Sequence, residues 1–264
     1  MKKAFSRLAN GDSASTSNGH TSFDFSNARV TLGNEIEFTT EEFIATRTNV
    51  ADKQFALYGP MLTRRLLEQI SLAIIARLDP IRIIVITKGA ASTDFDFGKQ
   101  NESSFSWTKD VLPKFDGDGD VWSQQKLKQG IVRGLLDGHL SAYLFSQRAF
   151  DRVTDELANY YSGAAELPAW VTQIQRFQNA KDFVGDLRRR CRESYSKLSK
   201  GIHIEFFPSG VVAHSRAELD AAMSDGLYAV CSIALVSNAC DITHGKISLT
   251  HAVEDFDAIA KLFG

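Results

Sequence analysis

From residue 52 onward the chain places large apolar side chains three and four positions apart, the spacing of one buried helix face. The first strong run predicts a helix over Asp52 to Leu78. Leu62, Leu66, Ile70 and Ile74 recur every four residues, Leu67 widens the stripe, and Arg64, Arg65 and Glu68 sit off it. Pro60 marks a kink or a fresh start near Tyr58-Gly59, and Asp79-Pro80 ends the pattern, because proline disfavours helical geometry in the residue before it. Ahead of this run, Thr39 and Glu42 have capping-box spacing and predict a helix start before Phe43 and Ile44. Residues 1–33 are dominated by Ser, Asn, Gly and Thr and are expected to form a flexible tail or an irregular surface arm.

The segment Ile81 to Thr87 (IRIIVIT) reads either as a short buried strand or as a helical extension, which periodicity does not separate. A long polar stretch follows, Lys88 to Asp120, with Trp107 and Val111-Leu112 as its expected anchors into the core. Helical character returns over Val121 to Leu136 and Ser141 to Tyr161, and Gly163 and Pro168 bracket a break. A single long helix is predicted from Ala169 to Ile202, with Trp170, Ile174, Phe177, Ala180, Val184, Leu187, Cys191, Tyr195, Leu198 and Ile202 forming its apolar seam. Ser215 with Glu218 opens a further helix to about Asn238, and a short one runs from Thr250 to Phe263. The fold class expected from this order is mostly α, an antiparallel helical bundle. Its domains are a tail, 1–33, and one helical-bundle domain, 34–264, with an insertion at about 88–120.

Composition narrows the function. The 264 residues are 44% hydrophobic and 23% charged with a formal net charge of -2, which excludes a wholly disordered chain and a globally basic nucleic-acid binder. No apolar run reaches 18 residues, and the start MKKAFSRLANG lacks the apolar core of a secretory signal. Cys191, Cys231 and Cys240 have no CxxC spacing and read as reduced thiols, so a cytoplasmic location without membrane attachment is expected.

Few motifs survive inspection. Asp116-Gly-Asp-Gly-Asp120 resembles the start of a calcium loop, but Val121 and Leu127 stand where the loop needs Gly and Glu, so a polar turn is favoured. His20, His139, His203, His214, His244 and His251 form no HExxH pattern, and no GxSxG, P-loop or dinucleotide fingerprint occurs. No metal and no cofactor are therefore expected. Arg188, Arg189, Arg190, Arg192, Lys197 and Lys200 concentrate positive charge on the long helix. They read first as a solvated helix face, and second as a phosphate- or RNA-binding patch. On the same helix Arg192, Ser196, Ser199 and His203 step by four, three and four residues, a polar stripe beside the seam. A hydrogen bond between Ser199 and His203, one turn apart, is easy to form, and a structural polar contact at a helix end explains the stripe equally well.

The stretch Tyr195-Ser-Lys-Leu-Ser-Lys-Gly-Ile-His203 resembles the late helix of HEPN-domain proteins, with its Tyr-x-x-Leu-Ser-x-x-aliphatic-His pattern, and Leu62-Thr-Arg-Arg-Leu-Leu-Glu68 resembles the first core helix of such bundles. The resemblance covers these two helices. It implies a four- to five-helix bundle, often dimeric, in toxin–antitoxin and antiviral defence systems. Catalytic members are metal-independent ribonucleases with an Arg followed, after four to six intervening residues, by a His. Here His203 matches the His, while Lys197 stands at the Arg position and Arg192 lies too far upstream. Lysine keeps the charge but lacks the bidentate fork. The expectation is a non-catalytic HEPN-like protein acting on a protein partner or on a second copy, as a homodimer or complex subunit. The alternative is a ribonuclease with His203 as general acid or base, Lys197 and Arg192 stabilising phosphate charge, and Ser199 orienting the imidazole. A small-molecule or nucleotide binder using the 88–120 loop lacks any phosphate motif and ranks last.

Overall fold

The computed structural model describes residues 1–12, 23–90, 105, 107, 111–112, 135–136, 144–200 and 215–263. Among these residues nine helices and no strand occur: α1 Lys2–Asn10, α2 Phe23–Asn49, α3 Asp52–Leu78, α4 Pro80–Ala90, α5 Gln147–Tyr160, α6 Ala169–Gln175, α7 Ala180–Lys200, α8 Arg216–Ala239 and α9 Leu249–Ala260. The mostly helical bundle expected from periodicity is present. The polar stretch 88–120 beyond α4, apart from Phe105, Trp107 and Val111-Leu112, lies outside the described residues, as does the helix expected over 121–136 apart from Leu135-Leu136.

The bundle is built around α8. Its residues from Leu227 to Ala239 are buried on every side, as a helix ringed by others must be. The whole helix, Arg216–Ala239, is long and apolar enough to cross a membrane, yet α1, α3, α5, α7 and α9 all pack on it. Ser215 and Glu218 form the reciprocal capping box expected from the sequence. At Gly226 the helices meet most closely: an added Cβ would lie 3.2 Å from Leu67 Cδ1 and 3.2 Å from Ser194 Cβ, so a glycine lets α8 settle against α3 and α7. Trp107 and Val111 are buried in the main core, as anchors should be.

Helix α3 has the bounds its periodicity predicts, and Pro60 sits inside it. The α2–α3 turn is only Val50-Ala51, and the Arg65–Glu35 ion pair fixes how the two helices align. Thr39 does not start a helix. It lies within α2 with Thr40, both hydroxyls buried without a partner, because the apolar contacts of Ile36 and Phe43 carry the helix through the cap signal. The segment after Asp79 resolves to a helix: Pro80 takes the first position, where its missing N–H costs nothing, and the Thr87 hydroxyl bonds back to Ile83 O at 2.8 Å.

The beginning of the chain departs most from expectation. Residues 2–10 and 23–33 are not a surface tail: α1 buries Ala4, Phe5, Leu8 and Ala9, and α2 already starts at Phe23, while residues 13–22 of the expected tail lie outside the described residues. The physical reason is a short amphipathic spacing of one, three and one residues, which puts those four side chains on one face against α2, α3, α8 and α9. Two buried arginines pin the end of α1. Arg77 donates to Ala9 O at 3.1 Å, Asn238 Oδ1 at 2.8 Å and His244 O at 3.0 Å, and Arg29 donates to Asn10 O at 2.5 Å and Asp12 O at 3.0 Å. Burial, with the charge of Arg29 nearby, pushes the Arg77 guanidinium down to about 9. Carbonyls at a helix C-terminus are the partners best placed to hold such a cation. Gly11 and Gly245, both at positive φ, let the two loops touch there through Asp12 N donating to Gly245 O at 2.8 Å.

Candidate functional site

The long helix expected from Ala169 to Ile202 is two helices. Asn179 interrupts it: its side-chain oxygen accepts from Asp182 N at 2.9 Å, capping α7, while α6 ends at Gln175. Asparagine competes for backbone donors and so favours caps over helix interiors. Across the break the seam keeps its direction. Trp170, Ile174, Ala180, Val184, Leu187, Cys191 and Leu198 are buried, and Phe177 and Tyr195 pack at its edge.

Among the described residues the candidates on α7 do not converge. His203 lies outside the described residues, as does the side chain of Lys200. The Ser199 hydroxyl donates to Tyr195 O at 2.7 Å, one turn back in its own helix. Arg192 and Lys197 are both exposed. At about 100° per residue, Lys197 points about 140° from Arg192 and about 160° from Ser199 around the helix.

Much of the basic patch is neutralised internally. Arg189 pairs with Asp186 at 2.6 Å and Glu193 at 2.9 Å. Arg190 pairs with Asp186 at 2.7 Å and with Asp225, and its guanidinium covers the Tyr228 ring at 4.8 Å. Arg188 is half-buried and engaged. Pairs as exposed as Arg189–Glu193 contribute little to stability, but the carboxylates of Asp186, Glu193 and Asp225 offset the charge of Arg189 and Arg190.

Tyr195 is the better-built feature. Its ring stacks on Trp107 with centroids 5.4 Å apart and planes 5° apart, and the Arg64 guanidinium lies over the same ring, 4.6 Å from its centroid. Arg64 Nη2 also donates to the Tyr195 hydroxyl at 2.7 Å, and Glu68 approaches Arg64 at 3.6 Å. Burial raises the Glu68 carboxyl above its ordinary value, against the pull of Arg64. Sequence reasoning placed Arg64 and Glu68 off the α3 stripe without linking them to α7. The usable local signal was their i, i+4 spacing, whereas the Arg64–Tyr195 contact spans 131 residues. A tyrosine clamped between an indole and a guanidinium holds α3, α7 and the Trp107 segment together. It does not place a nucleophile against a base.

A cleft of about 400 Å³ opens between α1 and α2, with Lys3, Arg7, Asn10, Asn34 and Glu37 on its walls. Arg7 is already committed to Asp255 by two bonds of 2.7 Å. Among the described residues no three His, Cys, Asp or Glu side chains gather as metal ligands would. Compared with protein-family models, curated proteins and solved structures, the chain matches none.

Proposed function

We propose that this chain is a non-catalytic, HEPN-like antiparallel bundle that works by binding protein partners, as a component of a toxin–antitoxin or antiviral defence system. The observation that carries the non-catalytic half is the divergence on α7: Lys197, standing where the resemblance expects Arg, faces about 140° away from Arg192, and Ser199 spends its hydroxyl on Tyr195 O. Phosphate-charge stabilisation needs donors aimed at one point, and these are not. The interaction half is supported by exposed apolar side chains clustered on α2 and α3, where Phe38, Leu57, Tyr58 and Met61 remain 46–61% exposed.

The test is co-expression of the tagged chain with the products of the genes encoded beside it. A stoichiometric complex that survives gel filtration supports the reading. Toxicity of the chain expressed alone, lost in His203→Ala, overturns it in favour of a ribonuclease.

A further inference from the structure

We infer that the cleft between α1 and α2 binds a free α-amino acid with a large apolar side chain. The two helices run antiparallel there: Lys2 bonds to Glu41 at one end, and the Asn10 amide donates to Arg29 O at 2.7 Å at the other. Gly33 faces the middle, where an added Cβ would press on Ser6 Oγ and Asn10 Nδ2, each at 3.2 Å. This order places Lys3 with Glu37 at one end of the cleft, Ser6 with Asn34 in the middle, and Val30 with Ile247 at the far end.

The polar groups on these walls select the occupant. Among the described residues the side chains of Lys3, Ser6, Asn34 and Glu37 make no hydrogen bond to the protein, and Glu37 only adds to the field on Lys2, whose bond goes to Glu41. Arg7 is balanced by the buried Asp255 through two bonds of 2.7 Å, and Asp12, at the far end, lies in the field of Arg29. One cation, Lys3, and one anion, Glu37, are left to face a ligand at the same end. A phosphate would meet Glu37, and a simple amine would meet Lys3. A neutral apolar molecule would strip water from four polar groups and return no hydrogen bond. An α-amino acid carries its carboxylate and its ammonium on one carbon, so its head answers both charges at once. Lys3 donates to the carboxylate, the ammonium donates to Glu37, and Ser6 and Asn34 complete the shell. The side chain then lies toward Val30 and Ile247. Glu37 and Val30 stand two turns apart on α2, about 10 Å, a span that suits phenylalanine or methionine. The volume of about 400 Å³ lies toward the lower end of the roughly 300–1,000 Å³ of small-molecule pockets.

Isothermal titration calorimetry on the full chain with L-phenylalanine and L-methionine tests this. Saturable one-to-one binding of at least one of them is expected. The matching acid without the ammonium, and the matching amine without the carboxylate, should each bind about tenfold more weakly or worse, because each leaves one wall charge unpaired. Lys3→Ala and Glu37→Gln should each weaken binding by a similar factor and leave the unliganded melting temperature unchanged, since neither side chain is bonded within the fold. No saturable binding of either amino acid up to about 10 mM overturns the inference. Binding that either analogue matches, or that the two variants leave unchanged, also overturns it. Each of these results leaves the non-catalytic reading standing, because only cleavage of RNA by the chain overturns that.

Discussion

Leu8→Ala asks directly whether the start of the chain belongs to the core. Leu8 is 1% exposed and sits with Phe5 in the main apolar cluster. The substitution removes three carbons, about 2.4 kcal/mol at roughly 0.8 kcal/mol per buried methylene. The cavity left behind adds to this, because α1 is pinned at its end by Arg77 and Arg29 and cannot slide inward. The expected loss is therefore about 2.5–5 kcal/mol. For a chain of this size that lowers the melting temperature by about 5–15 °C. Thermal and urea unfolding followed by circular dichroism read the change. Val30→Ala, at a position 47% exposed on α2, serves as the control and should stay within about 0.5 kcal/mol. If Leu8→Ala behaves like the control, α1 is not a core helix and its assignment is wrong.

Three further outcomes follow from the same contacts. Gly245→Ala should cost more than about 2 kcal/mol, because at φ +57° its Cβ would stand 2.6 Å from Arg29 Nη2 and 2.9 Å from Asp12 O; a melting curve matching wild type contradicts this. Burial pushes the Cys191 thiol up to about 12, so native Cys191 should resist alkylation near pH 8, and labelling as fast as in denaturant would refute its burial. Burial and a hydrogen bond to Asp257 raise the Tyr161 phenol above its ordinary value. The folded state therefore holds that proton more tightly than the unfolded chain. The contribution is complete below about pH 10 and is lost as the pH rises through the higher folded value. Stability of Tyr161→Phe should fall less steeply than wild type in alkali, and parallel curves would contradict the linkage.

The strongest helices were legible because their signals were local and agreed with one another. Asp52 to Leu78 is bounded by periodicity and a proline, and Ser215 with Glu218 is a complete cap. Thr39 shows the limit: cap spacing is present, but burial of Ile36 and Phe43 overrides it. The spacing of Ala4, Phe5, Leu8 and Ala9 was also in the sequence. It was outweighed by the polar residues around it, and the docking of that short helix also depends on long-range bonds from Arg77 and Arg29. Asn179 is one residue inside an otherwise continuous seam, so the seam hid the break. Of the candidate site, burial of Leu198 was legible from the seam, while Tyr195, expected in the same buried seam, is only half-buried. The clamp of Trp107 and Arg64 on Tyr195 was not, since it joins three segments that no local rule pairs.

We propose that α7 carries a degraded catalytic stripe on a protein that acts by binding. The most direct measurement is incubation of the purified full chain with labelled single-stranded and structured RNA, without metal ions, beside His203→Ala. The account predicts intact RNA in both reactions over hours. Cleavage by the wild type that disappears in a folded His203→Ala would contradict it and make the chain a ribonuclease.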